Sequence, residues 1–166
     1  MRRRTWLLAT SALGLGAGLL AGCGFELRRA PVLPFERIQL QGFATRSPLA
    51  EALKRELAHS AQVVAAAERP EVVLMAVSET RDRAVVAATA AGQLREVQLK
   101  QGLVFRLATA GGRELVGNTA ILLTRDMSYN ETNALAKEQE EAQLYAAMQS
   151  EIVMQVLRRL AGAPKP

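Results

Sequence analysis

The amino terminus carries the feature that most limits what this chain can fold into. Three arginines at positions 2–4 precede an apolar stretch at residues 6–21, and small residues follow it just before Cys23. A basic start, an apolar segment of about 15 residues and a small-residue end are typical of an export signal. The apolar stretch is shorter than the roughly 20 residues that a membrane-spanning helix needs. We therefore expect residues 1–22 to be removed.

The end of this segment, Leu20-Ala21-Gly22-Cys23, resembles the bacterial lipobox. In that motif the cysteine thiol receives a diacylglycerol, the chain is cut before the cysteine, and the new amine is acylated. Several acyl chains anchor a protein stably, whereas one binds only marginally. We expect this lipid on Cys23, and Gly24, which stands where many inner-membrane retention signals have aspartate, favours the outer membrane. The alternative is a secreted protein in which the lone cysteine has no role.

Composition excludes several kinds of chemistry. A chain of 166 residues has the length of one domain. Its net charge of +5 falls to +2 without the three leader arginines, since 18 basic then face 16 acidic residues. Such a balance argues against a nucleic-acid binder, which needs a concentrated cationic face. One cysteine and one histidine exclude an internal disulfide and a Cys/His zinc cluster. We expect no cofactor besides the covalent lipid.

Periodicity predicts an α+β domain with the order β-α-β-β-β-α. Residues 37–41 alternate with period two and indicate a strand. Ser47 and Pro48 are typical of a helix start, and the helix is predicted to run to about Ser60. Residues 71–78 are apolar on both faces and predict a buried strand. A helix joins these two strands, so they are expected to be parallel.

Two long strands are predicted to follow as a hairpin. In residues 97–107 most odd-numbered positions are apolar, whereas charged residues occupy even-numbered positions. Residues 114–126 follow a glycine pair and are predicted to run back alongside this strand. Strands of about 11 to 14 residues are long for this domain. We therefore expect bulges or bends near Gly102 and Gly117.

Residues 133–160 predict a terminal helix with one continuous apolar stripe, about 40 Å long. Two helices on one face of a four-stranded mixed sheet would bury both helical stripes and leave the second sheet face open. The expected divisions are a cleaved signal at 1–22, a lipidated lead at 23–36, the folded domain at 37–161 and a tail at 162–166.

The last strand and helix carry a recognisable pattern. Residues 123–130, 134–138, 148–149 and 157–160 resemble the family of the lipopolysaccharide-assembly lipoprotein LptE, also called rare lipoprotein B. The start of the mature chain, residues 23–28, is similar as well. The resemblance implies two helices against a four-stranded sheet. It also implies a plug inside the outer-membrane barrel LptD, at one copy per barrel, which assists barrel assembly and binds lipopolysaccharide on the way to the outer leaflet.

Lipopolysaccharide has an anionic head, so its binder should offer cations that pair with phosphate, preferably arginine. The candidates on the strands and at their ends are Arg81, Arg83, Arg95, Lys100, Arg106 and Arg125. Arg125 lies inside the recognisable pattern. At the Ala91-Gly92 tip and at Leu122 this chain has apolar residues where some relatives carry basic ones, so those contacts are not transferred.

Two other classes of protein stay open. A periplasmic hydrolase would need a nucleophile with a base, but the lone His59 falls on the polar face of the first helix and no Gly-x-Ser-x-Gly motif is present. We therefore expect no enzymatic activity. A general outer-membrane scaffold could use the same lipid anchor and open sheet face to hold another protein. The resemblance favours the periplasmic side of the outer membrane and the barrel lumen, with no nucleic-acid partner.

Overall fold

The computed structural model describes residues 31–90 and 92–166, which form two helices and a mixed sheet. The elements are β1 (Arg37–Gln41), α1 (Pro48–Leu57), β2 (Gln62–Val63), β3 (Val72–Ala88), β4 (Leu94–Thr109), β5 (Glu114–Ser128) and α2 (Ala134–Ala161). The predicted α+β class is confirmed. The export signal and Cys23 lie outside the described residues.

The sheet has the strand order β2-β1-β3-β4-β5. β1 is parallel to β2 and β3, as predicted from the helix between them, whereas β3, β4 and β5 are antiparallel. The sheet has five strands and not the predicted four. The additional strand, β2, contains only two residues, which is too short to show any periodicity.

The first helix starts as predicted and ends earlier. The Ser47 hydroxyl accepts a hydrogen bond from the Ala50 N–H at 3.0 Å, so it caps α1. The helix was predicted to reach Ser60 but ends at Leu57. The Leu57 carbonyl accepts bonds from the amides of both Ser60 and Ala61, each at 2.8 Å, and this tight turn stops the helix.

Both helices pack on the same face of the sheet. The main core joins apolar side chains of α1 and α2 to those of the strands, with Leu53, Phe105 and Ile152 among its fully buried members. A second, smaller cluster contains Leu99, Tyr145 and Met148. The stripe predicted for α1 therefore faces the sheet, as does that of α2 from Tyr145 to Leu160. The first part of the predicted α2 stripe does not, since Leu135 is 70% exposed.

The three long strands are 15 to 17 residues each, longer than predicted. The register shifts between Phe105 and Leu107, opposite residues 116–119, so the bulge expected near Gly117 is confirmed. Gly102 itself stays in register between its neighbours, and the register shift of β3 between Ala76 and Ser78 lies close by, opposite Phe105 and Val104. A Cβ on Gly102 would lie 2.8 Å from Thr80 Oγ1, so glycine leaves room for the adjacent strand's side chain.

A bulge in β3 decides which of its side chains face the helices. The register shifts between Ala76 and Ser78. Before the shift Leu74 is buried in the core. After it, Arg81 is opposite Gln101, a residue only 5% exposed on the helix-covered face of β4. Since cross-strand partners share a face, one extra residue turns the odd-numbered positions of β3 toward α2.

Candidate functional site

The six candidate cations separate onto two faces of the sheet. On the face that α2 covers lie Arg81, Arg83 and Arg125, which are opposite Gln101 or Leu99 of β4. On the open face lie Lys100 and Arg106, which are opposite Asp82 and Met75 of β3. Arg95 is exposed near the start of β4. The fold therefore does not bring the six candidates into one cluster.

Arg81 is held by an aromatic ring. Its guanidinium carbon lies 3.9 Å from the centroid of the Tyr145 ring, a cation–π distance. Tyr145 is 5% exposed, and its hydroxyl donates to the Asp82 carbonyl at 2.7 Å. Burial raises the pKa of the Tyr145 phenol above its usual 10.0. These contacts fasten α2 to the middle of β3.

Arg83 and Arg125 pair with carboxylates of α2. Arg83 Nε lies 3.1 Å from Glu141 Oε2, and Arg125 Nη2 lies 2.9 Å from Glu151 Oε2. Both pairs are partly exposed, and such pairs stabilise a fold by about 1 kcal/mol or less. Each pair neutralises a cation that would otherwise attract a phosphate. The helix thus uses three of the six candidates internally.

Arg106 has a different environment. Its Nη2 lies 3.1 Å from the Met75 sulfur, and among the described residues no carboxylate comes within 4.0 Å of its guanidinium. It lines a cleft of about 220 Å³ on the open face, together with the apolar side chains of Val73 and Ala108 and with Glu114. A guanidinium beside apolar walls suits a ligand with both an anionic and an apolar part.

The other two candidates are less enclosed. Lys100 is half-buried on the open face, between Asp82 and Thr124 of the adjacent strands. Arg95 lines a polar cleft of about 290 Å³ with Asn130 and Thr132. Both side chains can reach an anion at the surface, but neither has the apolar surroundings of Arg106.

Leu122 and the Ala91-Gly92 tip are the two apolar positions where the resemblance implied basic residues. Leu122 is 66% exposed and lies on the open face opposite Gly102. Ala91, at the predicted tip, lies outside the described residues, and Gly92 there has φ +79. Leu122 therefore adds an apolar side chain to the open face.

Sequence reasoning missed the polar contacts beneath the helices. Ser47 Oγ donates to Glu79 Oε1 at 2.8 Å, while Glu79 Oε2 and Gln101 Oε1 are buried without a partner in the described structure. Gln101 interrupts the apolar parity of β4, and this was the one signal in the sequence. No signal in the sequence marked the bulge that brings Glu79 under the helices.

The described side chains form no candidate metal centre. His59 is exposed, as predicted, but it lies in the turn after α1 and not on the helix. Within residues 31–90 and 92–166, histidine, cysteine and carboxylate side chains form no group of three or more that could hold a metal ion. Neither α1 nor α2 is both long and apolar enough to cross a membrane.

Comparison with known proteins agrees with the resemblance read from the last strand and helix. The family model described as LptE, lipopolysaccharide-assembly, matches residues 35–160. The LPS-assembly lipoprotein LptE of Pectobacterium atrosepticum is 30% identical, over 96% of this chain and 86% of the relative.

Solved structures share the fold. The solution structure of a lipoprotein B from Nitrosomonas europaea has 33% identity and a TM-score of 0.71, covering 83% of this chain and 90% of that one. The rare lipoprotein B of Shewanella oneidensis superimposes with a TM-score of 0.62 at 21% identity, over 76% and 94% of the two chains, and supports the fold alone. By the extent of the family match and the identity to its curated relative, this chain belongs to the LptE family of lipopolysaccharide-assembly lipoproteins.

Proposed function

We propose that this protein is an outer-membrane lipoprotein that plugs the LptD barrel, assists its assembly and binds lipopolysaccharide for insertion into the outer leaflet. One observation carries the proposal: the family match extends from residue 35, before β1, to residue 160 in the last turn of α2. The match thus includes the whole folded domain. The P. atrosepticum relative is itself an LPS-assembly lipoprotein.

The proportions of the domain are compatible with a plug. Neighbouring strands lie about 4.8 Å apart, so the outer strands of a five-stranded sheet are about 20 Å apart and those of a three-stranded sheet about 10 Å apart. The sheet narrows in this way beyond residue 75, where pairing with β1 ends. A sphere of this mass would need a barrel of about 24 strands, and single-chain barrels reach that size. A tapered body inserted lengthwise fits more easily than the sphere.

The open face is the better place for an anionic ligand. Arg106 and Lys100 form no ion pair with another described residue, whereas Arg83 and Arg125 would first have to release Glu141 and Glu151. Arg81 would have to leave the ring of Tyr145. We therefore assign the main phosphate contact to Arg106, with Lys100 and Arg95 as further cations. The apolar cleft beside Arg106 would take part of an acyl chain or of the sugar face.

The lipid anchor completes the proposal. Cys23 would carry the diacylglycerol and the N-acyl chain after removal of residues 1–22. These acyl chains would anchor the domain to the periplasmic leaflet of the outer membrane. The lead at residues 23–36 would connect the anchor to β1. An attached domain needs only a short path to enter a neighbouring barrel, since tethering raises its effective concentration there.

The test is purification of the tagged full-length protein from its own bacterium in mild detergent. We expect one large β-barrel to copurify at one-to-one stoichiometry, together with lipopolysaccharide. The Arg106→Ala variant is the matched control: it should retain the barrel and lose much of the lipopolysaccharide. If a different protein copurifies in place of a barrel, the chain is a scaffold for that protein and the plug proposal is wrong.

A further inference from the structure

The first three turns of α2, residues 134–144, are held differently from the rest of the helix. Buried side chains in α2 begin at Tyr145 and continue to Leu160, and none of residues 134–144 is buried. Leu135 is 70% exposed, and Leu144 packs only partly against the second apolar cluster. Burial of an apolar face is the main source of helix stability in a folded domain. It therefore secures α2 from Tyr145 onward and contributes little before that point.

Polar contacts hold these turns to the sheet. Glu141 Oε2 of α2 lies 3.1 Å from Arg83 Nε of β3, and Lys137 Nζ donates to Ser128 Oγ of β5 at 3.2 Å. Both contacts are partly exposed to solvent. Water screens such contacts, so each contributes little stability.

The start of α2 also lacks local stabilisation. A capping side chain and an acidic first turn usually stabilise a helix start. Asn133, in the capping position, makes no side-chain hydrogen bond to the helix, and the first turn contains no acidic residue. An isolated helix of about eleven residues is marginal in water. Residues 134–144 should therefore unwind more readily than the turns after Tyr145, whose side chain is 5% exposed and donates to the Asp82 carbonyl.

The sheet beneath these turns is apolar. Leu99 of β4 packs against Tyr145. The later residues of both elements pack in the main core, so residues before Leu99 and residues before Tyr145 lie toward the same end. Val97 is about 6.6 Å from Leu99 along β4, a distance that about four residues of helix cover, from Tyr145 to Glu141. Val97 is fully buried, and its partner on β5, Met127, is 2% exposed.

Opening of residues 134–144 would place a cation beside an apolar patch. Arg83 would lose Glu141 and keep the ring of Tyr129, whose centroid lies 5.6 Å from the guanidinium carbon. Val85, opposite Val97 and 51% exposed, extends the patch to the surface. Arginine pairs well with phosphate, and the apolar patch suits an acyl chain. The uncovered surface therefore matches an amphiphile that carries a phosphate.

We propose that residues 134–144 form a flap that unwinds as far as Tyr145 and admits lipopolysaccharide. A phosphate takes the place of Glu141 on Arg83, and an acyl chain contacts Val97 and Met127. The site lies on the face of the sheet opposite Arg106, so it is a second site. The flap depends only on contacts within this chain, whereas the identity of the ligand rests on the proposed function.

Hydrogen exchange tests the flap in the purified full chain, in a neutral detergent without added lipid. The amides of residues 138–144 should exchange about tenfold faster than those of residues 149–157, because they open locally. Glu141→Gln should accelerate exchange of residues 138–144 by about two- to fivefold, since it removes the pair with Arg83. Equal protection along the whole of α2 would overturn the flap.

Glu138→Gln is the matched control. It removes the same charge from the same segment, at an exposed residue that forms no ion pair with another described residue. Exchange of residues 138–144 should stay as in the wild type. An acceleration equal to that of Glu141→Gln would show that net charge, and not the contact with Arg83, closes the segment, and would overturn the proposed latch.

Capture of lipopolysaccharide tests the ligand. Glu141→Gln and Arg83→Ala break the same ion pair, but only Glu141→Gln leaves the cation in place. Capture should rise with Glu141→Gln by about twofold or more, as the open form becomes more populated. It should fall below wild type with Arg83→Ala and stay unchanged with Glu138→Gln. Equal capture by Glu141→Gln and Arg83→Ala would show that no phosphate binds Arg83 and would overturn the proposal.

Binding and opening are linked if the ligand selects the open flap. In the wild type, added lipopolysaccharide should accelerate exchange of residues 138–144 and leave residues 149–157 unchanged. Unchanged or slower exchange of residues 138–144 in the bound protein would overturn the proposal while the proposed function stands. If no chain captures lipopolysaccharide, the proposed function is wrong and so is the ligand named here, and the exchange rates of the free protein decide the flap separately.

Discussion

The guanidinium carbon of Arg81 lies 3.9 Å from the centroid of the Tyr145 ring, and the hydroxyl of the same ring donates to the Asp82 carbonyl. β1 pairs with β3 only from Val72 to Met75. Beyond that point no strand of the described residues pairs with this edge of β3. The contacts of Tyr145 therefore tie α2 to the part of β3 that β1 does not reach.

Replacement of Tyr145 by phenylalanine should lower the free energy of unfolding by about 0.5–1.5 kcal/mol, since one part-buried hydrogen bond is lost. The ring remains for Arg81. Urea denaturation measures the difference. Tyr129→Phe is the matched control, because the Tyr129 hydroxyl has no hydrogen-bond partner among the described residues. A loss of equal size in both variants would contradict a specific role for the Tyr145 hydroxyl.

Stability should depend on pH through Tyr145. Burial raises the phenol's pKa in the folded state, so above pH 10 the unfolded chain loses this proton first. Stability that is present below pH 10 is then lost as the pH rises through the folded pKa. The advantage of wild type over Tyr145→Phe should therefore shrink between pH 9 and pH 11. If urea denaturation shows a constant advantage over this range, the phenol does not titrate as inferred.

Gly102→Ala should destabilise the sheet by about 1–3 kcal/mol, since overpacking forces neighbours to move. The new Cβ would lie 2.8 Å from Thr80 Oγ1 and 3.3 Å from the Ile121 carbonyl oxygen. Thermal or urea unfolding measures the loss. Gly111→Ala, whose Cβ would meet nothing closer than 3.9 Å, should change little. Adding Thr80→Ala should recover part of the loss; no recovery would place the strain elsewhere.

Arg106→Ala and Arg125→Ala should separate ligand binding from stability. Capture of lipopolysaccharide by the soluble chain should fall more with Arg106→Ala, and more at low salt than at high salt because screening weakens the phosphate contact. Arg125→Ala should chiefly cost stability, by about 1 kcal/mol or less, as the Glu151 pair is lost. Equal capture by wild type and both variants at every salt concentration would remove the phosphate-pairing model.

Cys23→Ala should abolish lipid attachment, because no other thiol exists in the chain. Metabolic labelling with a radioactive fatty acid measures the modification, and fractionation should find the variant unprocessed or outside the outer membrane. A Val32→Ala chain, altered outside the motif, should be labelled normally. Normal labelling of Cys23→Ala would show that the lipobox interpretation is wrong.

The sequence by itself determined the elements that repeat. The apolar stripe of α2 is buried from Tyr145 to Leu160, and the alternation of β4 continues from Val97 to Leu107, interrupted only at Gln101. Long, regular patterns leave one way to bury the apolar side chains, so the helices and the long strands followed from them. The family resemblance rested on particular residues of the last strand and helix.

Tertiary structure alone decided which charges are free. The extra residue at Val77 reverses the parity of β3, and no local pattern marks it. That reversal turns Arg81 and Arg83 toward α2, whose Tyr145 and Glu141 are more than 50 residues away in the chain. A charge is neutralised by the groups that lie beside it in space. The six candidate cations were therefore equivalent in the sequence, whereas in the packed sheet Arg106 is unpaired among the described residues.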